Sequence, residues 1–143
     1  MKQIHLEISS RLSEKGLKIT PQRIAVYEAV KILNNHPTAE KINEYIKKNH
    51  PHISVATVYK ILELFCQNNI LNKVKTDADY MRYELVINHH HHLYCLESER
   101  IEDFFDNELD KLIEEYFKTK NIPGFEVDNI KLQIIGKFIN QKN

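Results

Sequence analysis

Residues 54–86, SVATVYKILELFCQNNILNKVKTDADYMRYELV, decide the fold. Ser54 is an N-cap residue, and behind it Val58, Ile61, Leu62 and Phe65 recur at helical spacing. That pattern predicts a helix from Val55 to about Gln67 with one apolar face, leaving Thr57, Tyr59 and Lys60 for another surface. After Asn68-Asn69 come two extended runs, 70–75 and 80–86, joined by the turn-like Thr76-Asp77-Ala78-Asp79. A helix leading into a two-stranded ribbon is the end of a winged helix-turn-helix.

The chain upstream supplies the rest of that fold. A helix over about the first fifteen residues carries Ile4, Leu6, Ile8 and Leu12 and stops at Gly16. Thr20-Pro21 pairs an N-cap with a proline at the first helical position, opening a helix through about Leu33 with Ile24, Val26, Tyr27 and Val30 inward. His36-Pro37-Thr38 begins a third, from Ala39 to about Lys48, burying Ile42, Tyr45 and Ile46. In the DNA-binding reading the last helix enters the major groove, where its early Thr57, Tyr59 and Lys60 meet phosphates and base edges. A helical bundle with a hairpin, or a winged helix that binds protein, fits the same pattern. Charge leans toward nucleic acid: residues 1–84 hold 13 Lys/Arg against 9 Asp/Glu, whereas 85–143 hold 7 against 11.

Downstream, Glu84, the run His89-His90-His91-His92, Cys95 and Glu102-Asp103 concentrate imidazole and carboxylate as a first-row divalent metal requires. Leu85-Val86-Ile87 and Leu93-Tyr94 predict extended chain, which puts His90 and His92 on one face and His89 and His91 on the other. Two neighbouring imidazoles can chelate an ion, but a stable site needs further ligands from elsewhere. The competing reading is a polar edge strand that binds metal adventitiously.

Residues 85–143 predict a small α/β domain. Extended segments at 90–95 and 100–105 precede a helix from about Asn107 to Lys118, and Ile122-Pro123-Gly124 breaks the chain before a strand from Phe125 to Phe138. Val127, Ile130, Leu132, Ile134 and Ile135 leave apolar surface to cover, which predicts a homodimer. The fold class expected is therefore α+β.

Composition excludes several alternatives. A content of 42% hydrophobic and 28% charged residues is that of an ordinary soluble protein, and no apolar stretch approaches the ~20 residues of a membrane span. The first residues lack the apolar core of a signal peptide, so a cytoplasmic protein without a membrane partner is expected. Only Cys66 and Cys95 are present, and a disulfide framework has no support. A metallohydrolase would need an open metal position and a general base. The chain offers no His-Glu-x-x-His pair, no glycine-rich phosphate loop and only three glycines, so no enzyme is expected.

Four stretches carry a family resemblance: Gly16-Leu17-Lys18-Ile19-Thr20-Pro21-Gln22-Arg23, His36-Pro37-Thr38-Ala39, Ser54-Val55-Ala56-Thr57-Val58-Tyr59-Lys60, and the histidine run ending in Leu93-Tyr94-Cys95. In order and spacing the chain resembles the ferric uptake regulator family over nearly its whole length. The resemblance implies a homodimeric, metal-dependent repressor that binds double-stranded operator DNA, with a winged-helix DNA-binding domain and hinge over 1–84 and a metal-binding dimerisation domain over 85–143. It implies one regulatory divalent ion per subunit, Fe2+ or Mn2+ with Zn2+ as a third candidate, held by His36, Glu84, His90, His92 and Asp103. It implies DNA contacts at Lys18, Tyr59 and Lys60, with Arg23 a weaker candidate. Lys60 stands where many relatives have arginine or asparagine, and a point charge reads bases differently from a bidentate fork.

Two departures from the family pattern matter. Ser98 stands where a second cysteine would complete a Cys-x-x-Cys pair with Cys95, and no later pair exists, so a four-cysteine structural zinc cannot form. The family's second site maps to His89, His91 and Asp110 with Ile130 at the fourth position, which cannot coordinate; any binding there is expected to be weak. The signal divides. Asp103 resembles the peroxide-sensing branch, in which oxidation of His36 or His90 by peroxide would release DNA. Glu84 matches the iron-sensing pattern, in which occupancy alone reports the metal; a zinc-uptake repressor is the remaining alternative.

Overall fold

The computed structural model describes residues 2–86 and 90–139. The chain divides into two compact units, Met1–Ile87 and Asn88–Asn143, each built around its own elements. The boundary lies three residues after the one expected from sequence.

In the first unit four helices, α1 (Lys2–Glu14), α2 (Pro21–Leu33), α3 (Ala39–Asn49) and α4 (Val55–Gln67), precede an antiparallel ribbon of β1 (Leu71–Lys75) and β2 (Met81–Leu85). Their ends follow from local chemistry. The hydroxyls of Thr20, Thr38 and Ser54 accept hydrogen bonds from the amides of Arg23, Lys41 and Thr57, satisfying donors that each first turn leaves unpaired. α1 closes with Gly16 in the left-handed region at φ +71°, the Gly16 amide on the Ser13 carbonyl and the Leu17 amide on the Leu12 carbonyl. Only glycine takes that conformation without strain, and this bond pair is the Schellman closure.

Ile8, Leu12, Val26, Ile42, Leu62 and Phe65 are buried together, so one face of each helix feeds a single core. Tyr27 meets Phe65 edge-on at 6.4 Å between ring centroids. The ribbon is fastened at both ends. At its base the Val86 amide donates to the Ile70 carbonyl, and along β2 the Tyr83 amide donates to the Pro37 carbonyl at 2.9 Å, beside a bridge between Thr38 and Arg82. Its tip, residues 76–80, turns with the Thr76 hydroxyl accepting from the Ala78 amide.

The second unit holds a three-stranded sheet in the order β4-β3-β5, with β3 His91–Tyr94, β4 Ile101–Phe104 and β5 Gln133–Ile135, and one helix, α5 (Asn107–Thr119). β3 runs antiparallel to β4 and parallel to β5. Asp106 caps α5, its carboxylate accepting from the Leu109 amide. The strand expected over 125–138 is confined to Gln133–Ile135. β3 offers a short edge to pair with, and Asn129 turns its side-chain oxygen onto the Ile130 amide, a local bond that competes with extended pairing. α5 buries none of its residues within one chain; Leu112 and Tyr116 are exposed, as are Phe125, Ile135 and Ile139. Among the described residues no helix is long and apolar enough to cross a membrane.

Phe65→Ala opens a cavity at the centre of the first core. We expect it to lower that unit's unfolding free energy by about 3–5 kcal/mol, read as a fall in the urea midpoint.

Candidate metal ligands and nucleic-acid surface

His36 follows α2 at the end of an unusual turn. Asn34, Asn35 and His36 all have positive φ, +50°, +51° and +58°, before Pro37 returns the chain to α3. Asparagine tolerates the left-handed region better than most residues, which suits it to this turn. The Tyr83–Pro37 backbone bond then sets β2 beside the turn, and Glu84, the next residue along β2, is brought to His36: Nε2 lies 2.8 Å from Oε2. Both side chains are buried.

The second unit gathers three more of the expected ligands. His92 on β3 stands opposite Asp103 on β4 in the antiparallel register, and His90 immediately precedes β3 on the same face. Asp103 Oδ1 is 3.3 Å from His90 Nε2 and 3.6 Å from His92 Nε2, and the two imidazole rings are 4.9 Å apart at 79°. Donors bonded at about 2.1 Å to a common first-row ion sit roughly 3 Å apart, so each group has the donor chemistry and spacing such an ion takes. His91 points away from these, toward α5: its ring is fully buried, Nε2 is 2.6 Å from Asp110 Oδ1, and Nδ1 accepts from the Leu132 amide at 3.0 Å. His89 lies outside the described residues. Ile130 is half-buried and brings no donor.

Among the residues expected to meet DNA, Lys18, Tyr59 and Lys60 are exposed, the latter two in the first turns of α4. Tyr59 could have belonged to the core, but its neighbours Val58 and Ile61 are buried and it is not. Thr57 is half-buried, its hydroxyl 2.9 Å from that of Ser54, which ties it to the cap of α4. Arg23 is committed nearer home: Nη1 donates to the Lys18 carbonyl at 2.7 Å and so fixes the backbone that presents Lys18.

Both cysteines are free thiols. Hydrogen bonds from the Ser98 hydroxyl and amide hold the Cys95 thiol below its ordinary range, and burial pushes that of Cys66 up. Ser98, standing where a zinc-binding cysteine was sought, therefore serves its neighbour as a hydrogen-bond donor. Sequence reasoning missed this bond, the Leu132–His91 bond and the left-handed turn; only the last had a local signal, the Asn34-Asn35 pair.

A winged helix followed by an α/β unit bearing histidine and carboxylate clusters is the architecture of a metal-responsive transcriptional regulator. The chain belongs to the ferric uptake regulator family, whose model matches residues 14–135. It is similar to the peroxide operon regulator of Bacillus subtilis, with 32% identity over 91% of this chain and 88% of the relative. Its fold is similar to the ferric uptake regulator from Pseudomonas aeruginosa with manganese, at a TM-score of 0.76 and 23% identity over 91% of this chain and 96% of that one. The ferric uptake regulator from Francisella tularensis with iron superposes at a TM-score of 0.71, with 25% identity over 85% of this chain and 92% of that one.

Ser54 orders the turn that presents Tyr59 and Lys60. Ser54→Ala should cost about 1 kcal/mol of stability in urea denaturation, and Ser54→Asp, which keeps an acceptor, should cost less.

Proposed function

We propose that this chain is a homodimeric repressor whose hold on double-stranded operator DNA is set by one divalent cation per subunit, liganded by His36, Glu84, His90, His92 and Asp103, and that peroxide releases it by oxidising His36 or His90. One observation carries the reading: each unit buries imidazole against carboxylate at the spacing of donors around a first-row ion. A cation with ligands from both units favours the arrangement in which those ligands converge. A 100-fold preference for that arrangement is worth about 2.7 kcal/mol, enough to switch DNA affinity. Residues 1–84 serve as the DNA-binding domain with its hinge, and residues 85–143 as the metal-binding dimerisation domain.

The remaining parts have supports of their own. Lys18, Tyr59 and Lys60 present charge and an aromatic ring for phosphates and base edges, with Arg23 and Thr57 holding their backbones in place. The exposed apolar residues of α5 and β5 suit a second copy of the chain, which would bring two recognition helices to neighbouring half-sites. Such a regulator works in the cytoplasm.

The peroxide reading rests on the similarity to the Bacillus subtilis regulator and on Asp103. A ferrous ion, when bound, supplies the electrons that reduce hydrogen peroxide next to its ligands. One peroxide oxygen then enters an imidazole ring and the other leaves as water; the oxidised ring is a poorer donor, and the arrangement it supported is lost. Glu84 favours a second reading, in which iron binds reversibly and its occupancy is the whole signal.

An anaerobic duplex-binding assay on Fe(II)-loaded protein separates the two. We expect sub-stoichiometric peroxide to abolish binding, with a one-oxygen mass gain in a peptide containing His36 or His90. Reversible loss on chelation, with peroxide leaving binding and peptide masses unchanged, would establish the iron reading instead. His92→Ala should remove the metal-dependent part of the affinity in either case. Lys60→Ala should lower the slope of log affinity against log salt by about 0.9, as expected for one phosphate contact.

A further inference from the structure

We infer that His91 is a structural hydrogen-bond pin and not a metal ligand, so the second site that the family resemblance maps onto His89, His91 and Asp110 has been converted into a metal-free fastening of the second unit. The argument turns on which ring nitrogen carries the proton. A backbone amide can only donate, so the Leu132 N–H, 3.0 Å from His91 Nδ1, requires a lone pair on Nδ1. In the neutral imidazole the proton is then on Nε2, and it is donated to Asp110 Oδ1 at 2.6 Å. Both nitrogens are engaged in complementary bonds inside a fully buried ring.

A ligating histidine has the opposite arrangement. It gives a lone pair to the metal from one nitrogen and donates the proton on the other to a carbonyl or carboxylate. Were His91 to bind an ion through Nε2, its proton would move to Nδ1 and face the Leu132 N–H, donor against donor. The buried amide would then lose its acceptor, a cost the ion must overcome. Ile130, at the position of the fourth ligand, adds no donor to offset it. What the network does instead is mechanical. From β3, His91 reaches the first turn of α5 through Asp110 and the residue leading into β5 through Leu132, tying helix and both strands together without a cation.

The test is long-range proton–nitrogen NMR of the histidine rings in the full-length, 15N-labelled protein during titration with zinc, a diamagnetic probe. We expect His91 to show the Nε2–H tautomer without metal and to keep it at saturation. Asp110→Asn, whose side-chain oxygen still accepts, should leave the metal-free unfolding midpoint and the zinc stoichiometry at wild-type values, while Asp110→Ala should lower the midpoint. A coordination shift at His91 with a second zinc equivalent that Asp110→Asn removes would overturn the inference. So would an unshifted midpoint in Asp110→Ala. If His90 and His92 do not respond to zinc while His91 keeps its tautomer, the regulatory site proposed above fails and the pin stands.

Discussion

Burying a carboxylate against an imidazole costs solvation that apolar packing would not, and removing one partner leaves the other uncompensated. The first unit nevertheless places Glu84 beside His36, and it does so with a single backbone bond, from the Tyr83 amide to the Pro37 carbonyl. That bond joins the wing to the loop after α2. Without it the wing would be a two-stranded ribbon, marginal by itself. With it, a strand whose neighbours belong to a DNA-binding fold carries an acidic side chain into the protein interior. The pair is poor stabilisation and good chemistry, which is the usual mark of a site.

The second unit solves a related problem twice over on opposite faces of one short strand. Alternation sends His90 and His92 to Asp103, and His91 to Asp110. The difference lies in what stands behind the rings. His91 has an amide donor at its rear nitrogen and is thereby fixed as a proton donor to Asp110, whereas Asp103 faces two imidazoles at once from a strand edge that is partly open. Identical residue types, adjacent in sequence, thus acquire different chemistry from their partners alone.

Much of this was legible in the chain. Helix starts could be read because Thr20-Pro21, Thr38 and Ser54 each announce a cap, and the observed bonds are those the residue types predict. The wing could be read from two β-rich runs around a polar turn, and the shared face of His90 and His92 from strand alternation. The long strand over 125–138 could not, because its length depends on how much edge β3 offers, which is a property of another segment. Nor could the role of His91, whose decisive partner is a main-chain amide 41 positions away. Arg23 illustrates a subtler miss: an arginine next to a basic motif looks like a phosphate ligand, yet its guanidinium is held by a carbonyl five residues back. Residue type announces what a side chain can do; geometry decides which neighbour receives it.

The turn at the end of the wing has a consequence for how a duplex would be engaged. Winged folds can press the ribbon tip toward the backbone of the nucleic acid, but here the tip carries Asp77 and Asp79, and Lys73 on the adjoining strand is paired with Glu63 of α4. Two carboxylates approaching phosphate meet like charge within a screening length of about 8–10 Å. Electrostatics therefore keep the tip off the sugar-phosphate rail, and the footprint narrows to the groove beneath α4 and the flank marked by Lys18. A protein of this kind would gain breadth on DNA by adding a subunit, not by extending its wing.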